Sequence, residues 1–143
     1  MKVQEPVNRV YFHENYLVKV FLKIIQWITI KSMIVIAEVP EYIREADKQL
    51  SETERQDVLN YLSAHPKAGD LIEGTGGIRK LRWGKGGRGK SGGVRIIYYY
   101  HSDLMPLYLL SIFAKNAQSN LTKAERNELA GLVNILVNTW MER

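Results

Sequence analysis

The chain has 143 residues, 45% hydrophobic and 24% charged, which suits one globular domain with a short appendage. It has no cysteine and three widely spaced histidines, His13, His65 and His101, which excludes disulfides and cysteine-ligated zinc and argues against an all-histidine metal site. The net charge is +5, but it is local: Arg79, Lys80, Arg82, Lys85, Arg88, Lys90 and Arg95 lie in a stretch, Gly74 to Ser102, that holds no acid, and taking these seven from +5 leaves −2 elsewhere. Seven mutually repelling cations suit a polyanion, nucleic acid first.

In chain order, residues 1–32 stand apart. Tyr16 to Ile30 is largely apolar but interrupted by Lys19, Lys23 and Gln26, whose i, i+4, i+7 spacing gathers them on one helix face. Two lysines inside so short a run argue against a membrane span, and no small-residue cleavage motif follows. The segment reads as an added helix or as a start assigned ahead of Met33, and residues 33–143 read as the domain. Ile34 to Val39 reads as a buried strand stopped by Pro40, and Tyr42 to Ala46 as a turn or two of helix. Ser51 to Glu54 is a capping box opening a helix to about Ser63, with Val58, Tyr61 and Leu62 facing inward.

Gly69 to Gly77 reads as a loop. Ile78 to Trp83 alternates apolar and basic, which predicts one buried face and an outer face presenting Arg79 and, with twist, Arg82. Val94 to Tyr100 has strand composition, and Leu107 to Ala114 reads as a central strand buried on both sides. A second capping box, Thr122 to Glu125, opens a long helix with Leu129, Leu132, Val133, Leu136 and Trp140 on one face. The order β-α-α-β-β-β-α predicts an α+β domain, with helices packed on a small, twisted, mainly antiparallel sheet.

Gly84 to Ser91, GKGGRGKS, fits the phosphate-loop pattern G-x-x-x-x-G-K-[ST] at every fixed position. That loop must open a helix, whereas Gly92-Gly93 and a strand follow here. Six of the ten residues from Gly84 to Gly93 are glycine, so a cationic hairpin loop explains the match by composition. Asp103 is the sole nearby acid for a magnesium ion, which also disfavours a metal-dependent nuclease.

If the partner is RNA, attack by a 2′-hydroxyl needs a base, charge stabilisation at phosphorus and an acid for the leaving oxygen. Arg79, Lys80, Arg82 and Arg95 are candidates for charge stabilisation, Lys80 or Lys115 for the base, and His101 for acid/base work. Trp83, Tyr98, Tyr99 and Tyr100 are candidates to stack bases, with core packing as the competing role.

The run HPKAGDLIEGTGGIRKLRWGKGGRGKSGGVRIIYYY, followed by LYLLSIFAKN and SNLTKAE, resembles the HigB branch of the RelE/ParE toxin superfamily from Met33 onward. The resemblance implies a RelE-like fold and a toxin of a type II toxin–antitoxin pair. RelE-side toxins enter the ribosomal A site and cut mRNA there; with no acid in the basic region before Asp103, such a nuclease is expected to work without a metal, and no other cofactor is expected. It implies a cognate antitoxin with a helix-turn-helix domain, operator DNA reached only through that antitoxin, no membrane and a cytoplasmic location. Lys80, Arg82, Arg95 and Lys115 match basic catalytic positions. Arg79, Lys85, Arg88, Lys90, Trp83 and Tyr99 are then expected to bind RNA or ribosome. Asn116 stands where RelE has arginine, and no tyrosine lies near Thr122, so base and acid stay open. Two alternatives remain: a ParE-like inhibitor of DNA gyrase, and a basic RNA-binding module without catalysis.

Overall fold

The computed structural model describes residues 17–24, 34–84, 93–116 and 120–142. The chain divides into two compact units, Met1–Met33 and Ile34–Arg143. In the first, residues 17–24 form helix α1, with Leu17, Phe21 and Leu22 exposed. Among the described residues no helix is long and apolar enough to cross a membrane.

The second unit runs β1 (Ile36–Glu38), α2 (Pro40–Gln49), α3 (Glu52–Ala64), β2 (Asp70–Leu71), β3 (Ile78–Trp83), β4 (Val94–Tyr99), β5 (Leu107–Ala114) and α4 (Lys123–Met141). The sheet order is β1-β5-β4-β3-β2, antiparallel except where β1 runs parallel to β5. This is the expected α+β architecture with one added element, β2, inside the stretch read as a loop. There Gly74, Gly76 and Gly77 take positive φ, and the Thr75 side chain donates to the Ile72 carbonyl and accepts from the Ile78 amide. Both capping boxes form as expected, at Ser51/Glu54 and Thr122/Glu125. Pro40 occupies the first turn of α2, where its missing N–H costs no helical bond.

Two apolar layers sandwich the sheet. Leu81, Val94, Ile96, Tyr98, Leu107, Leu109 and Ile112 face α2 and α3, where Tyr42, Ala46, Leu50, Val58 and Leu62 meet them. Ile78, Ile97, Tyr99, Tyr108, Leu110 and Phe113 line the opposite face with Leu129, Val133, Leu136 and Trp140 of α4. β4, buried along its whole length, stands at the middle of the sheet, and β5 beside it is also interior and sends side chains into both layers, as expected. β5 also carries a bulge: Ile97 pairs with Ser111 but Tyr98 with Leu109, so Leu110 is the extra residue. Leu109 and Leu110 enter different layers by ordinary alternation, and the bulge places Ser111, the partner of Ile97, on the same face as Leu110. Tyr61 is a further correction; it is 39% exposed instead of facing inward, because Val58 and Leu62 take the inner stripe of α3.

Candidate nucleic-acid interface

Alternation along β3 and β4 decides which cations meet. Ile78 and Ile97 belong to the α4 layer, so Lys80, Arg82 and Arg95 share that face by the two-residue period. Arg79, Leu81 and Trp83 point the other way. Arg82 stands directly opposite Arg95 in the β3–β4 register, and Lys80 opposite Ile97. Like charges opposite one another are unfavourable, so this pairing opposes sheet stability. Lys115 follows β5 two residues beyond Phe113, the register partner of Arg95, and its amide donates to the Gly93 carbonyl at 3.3 Å.

Arg95 is only 6% exposed, and its Nη1 donates to the Val94 carbonyl at 3.4 Å. Among the described residues no carboxylate forms an ion pair with Lys80, Arg82, Arg95 or Lys115. Burying a guanidinium without a counter-charge costs stability unless an anion completes it. Lys80 is held differently, its Nζ donating to Asn120 Oδ1 at 3.3 Å, two residues before the Thr122 cap of α4. The positive end of that helix therefore adds to the field of the cations. The sheet face is thus divided: apolar under α4, cationic where β3, β4 and the end of β5 emerge from it. Such a surface can bind phosphate and stabilise added negative charge on it.

Several expected residues lie elsewhere. Arg79 is on the α2/α3 side, donating to the carbonyls of Lys67 and Gly69 at 3.2 and 2.8 Å, and so braces a loop. The strand opens with buried Ile78 on the α4 face, which separates Arg79 from Arg82. Tyr99 is 3% exposed in the α4 layer, so its ring is withdrawn from base stacking. Tyr98 is fully buried, and Tyr100 donates to Asp103, the sole nearby acid in the sequence for a magnesium ion. Hydrogen bonding to Asp103, with some burial, pushes the Tyr100 phenol up to about 12. His101 lies beyond the far end of β4, paired with the Tyr99 hydroxyl at 3.2 Å and about 20 Å of strand from Arg95. Lys85, Arg88 and Lys90 fall outside the described residues. The GKGGRGKS segment, outside the described residues from Lys85 on, lies in the chain between the adjacent antiparallel strands β3 and β4.

Asn120 had no signal in the sequence, forty residues from the lysine it holds. Tyr61 and His65, four residues apart, also form a pair. Their rings meet at 5.0 Å between centroids, and Tyr61 meets Trp83 edge-on at 5.5 Å.

A family model described as the RelE toxin of the RelE/RelB toxin–antitoxin system matches residues 41–142. Among solved structures, the chain is similar to a mutant of the E. coli toxin RelE in the free state, at 18% identity. That match covers 61% of this chain and 88% of the other, with a TM-score of 0.45.

Proposed function

Because the chain belongs to the RelE toxin family of toxin–antitoxin systems, we propose that it is a ribosome-dependent endoribonuclease that cuts mRNA and stops translation. The observation that carries this reading is Arg95, a buried guanidinium facing Arg82 across the hairpin with no carboxylate beside it among the described residues. A scissile phosphodiester supplies the missing anion. Arg82 and Arg95 stabilise the charge that builds on its non-bridging oxygens. Lys80 or Lys115 takes the proton of the 2′-hydroxyl, whose oxygen attacks phosphorus, and the 5′-oxygen leaves and is protonated. No metal enters this scheme. A gyrase inhibitor would have no use for a buried cation at a phosphate-binding face.

The partner in the cell is a cognate antitoxin, for which we propose a helix-turn-helix DNA-binding domain; operator DNA is reached only through it. An acidic segment of that antitoxin would cover the cationic face. The toxin works in the cytoplasm, where translating ribosomes are.

The test is induction of the chain in bacteria beside an Arg95→Ala version, with mapping of RNA 5′ ends. Codon-phased cuts within translated regions, reduced about 10²-fold or more in the variant, are expected. Growth arrest without cuts would overturn the ribonuclease reading in favour of a gyrase-type toxin, and no arrest would leave a basic binding module.

A further inference from the structure

Opposite the cationic face lies an aromatic cluster with no part in that chemistry. Tyr61 and His65 are one helical turn apart near the end of α3, both exposed, and Trp83 closes β3 against Tyr61. Aromatics at an i, i+4 helix spacing usually belong to an apolar stripe facing a core, but on α3 Val58 and Leu62 already fill that role. Trp83 is half-buried on the same core, which fixes it, while Tyr61 and His65 gain little from their position in packing. Lys67, exposed, follows two residues after His65, and Arg79 is bonded to its carbonyl.

The cluster is continuous with the cationic face around one edge. β2 pairs only with Arg79 and Lys80, so from Leu81 to Trp83 the outer edge of β3 carries no strand among the described residues. Arg82 and Trp83 are neighbours on opposite faces of that bare edge. Aromatic rings flanked by cations form the surface that unpaired bases use, because every base has a π-face and needs no sequence-specific donor.

We propose that Tyr61, His65 and Trp83 form a base-stacking platform for single-stranded RNA, which reaches it from the cationic face over the bare edge of β3. The platform rests on the reading of the chain as an RNA-binding toxin. It makes RNA recognition two-sided, phosphate on one face of the sheet and bases on the other.

The test is the affinity of the full chain for a short 2′-O-methyl oligouridine, which lacks the attacking hydroxyl, and for the same strand with abasic sugars. Tyr61→Ala and Trp83→Leu are expected to weaken the base-bearing strand about tenfold or more each and to leave the abasic strand unchanged. Tyr61→Phe, which keeps the ring, is expected to bind as the parent does. Because Tyr61 is exposed, its substitution tests the platform even if the Trp83 change harms folding. Equal affinities in parent and Tyr61→Ala for both strands overturn the platform. Loss of antitoxin co-purification with RNA affinity intact also overturns it, assigning the cluster to a protein. Cuts mapped in cells with unchanged oligouridine binding would remove the platform and keep the ribonuclease, whereas base-dependent binding without cuts would do the reverse.

Discussion

The Tyr98 hydroxyl accepts from the Gly69 amide at 2.8 Å and donates to the Pro66 carbonyl at 2.9 Å, so one core side chain satisfies the backbone of the turn after α3. The approach is close: a Cβ on Gly69 would sit 2.8 Å from Tyr98 Cε1 and 3.1 Å from the Lys80 carbonyl carbon. Burial pushes the Tyr98 phenol up, and the Gly69 hydrogen bond opposes that rise. Arg79 adds its two bonds to the same loop. Tyr98→Phe keeps the ring and strands the buried Gly69 amide, which costs about 1–3 kcal/mol. A urea titration should show a lower midpoint at unchanged slope. An unchanged midpoint would mean the loop finds other partners.

Among the elements, α4 covers the apolar half of one sheet face and also positions a candidate catalytic lysine. Its Thr122/Glu125 box closes the first turn, and Asn120 just upstream holds Lys80. Thr122→Ala should cost about 1 kcal/mol of stability. If that turn steadies Lys80, RNA cleavage should fall as well at temperatures where the protein remains folded; full cleavage in the folded variant would sever the link. Helices of this kind were legible from the sequence because a capping box is a local signal, and so was the strand VRIIYYY, rich in β-branched and aromatic residues. The two-residue strand β2 was not, since Asp70 and Leu71 are both exposed and lie among glycine turns. The side of the sheet that Arg79 takes was not legible either. Ile78 and Leu81 are buried in different layers, so IRKLRW carries no single buried face. The cationic group was half-visible: the lack of acids marked the region, but the pairing of Arg82 with Arg95 and the bulge at Leu110 are register facts that no local pattern encodes.

Over the whole domain, three elements meet at one ion cluster on the side of the sheet away from α4. Arg55 of α3 donates to Glu38 of β1 at 3.2 Å and to Asp47 of α2. Tyr42 lies buried beside them, and burial first, then the Glu38 carboxylate, push its phenol up to about 12, with Arg55 pulling the other way. The sign of the linkage follows. Below pH 10, the ordinary tyrosine value, native and unfolded chains both keep the proton, so the contribution is fully present. Between about 10 and 12 the unfolded chain loses the proton and the native one does not, so stability declines as pH rises through that window. Two units at 1.36 kcal/mol each correspond to about 3 kcal/mol. Tyr98 and Tyr99, also raised by burial, add to the same decline. Tyr42→Phe should therefore flatten the fall of the urea midpoint from pH 10 to 12 by a part comparable with that figure, without abolishing it. The same slope in parent and variant would show that the Tyr42 phenol is as free to ionise in the native domain as in the unfolded chain. Strand β1 and helices α2 and α3 would then be joined at this point by Arg55 and its two carboxylates, with no part played by a sealed phenol.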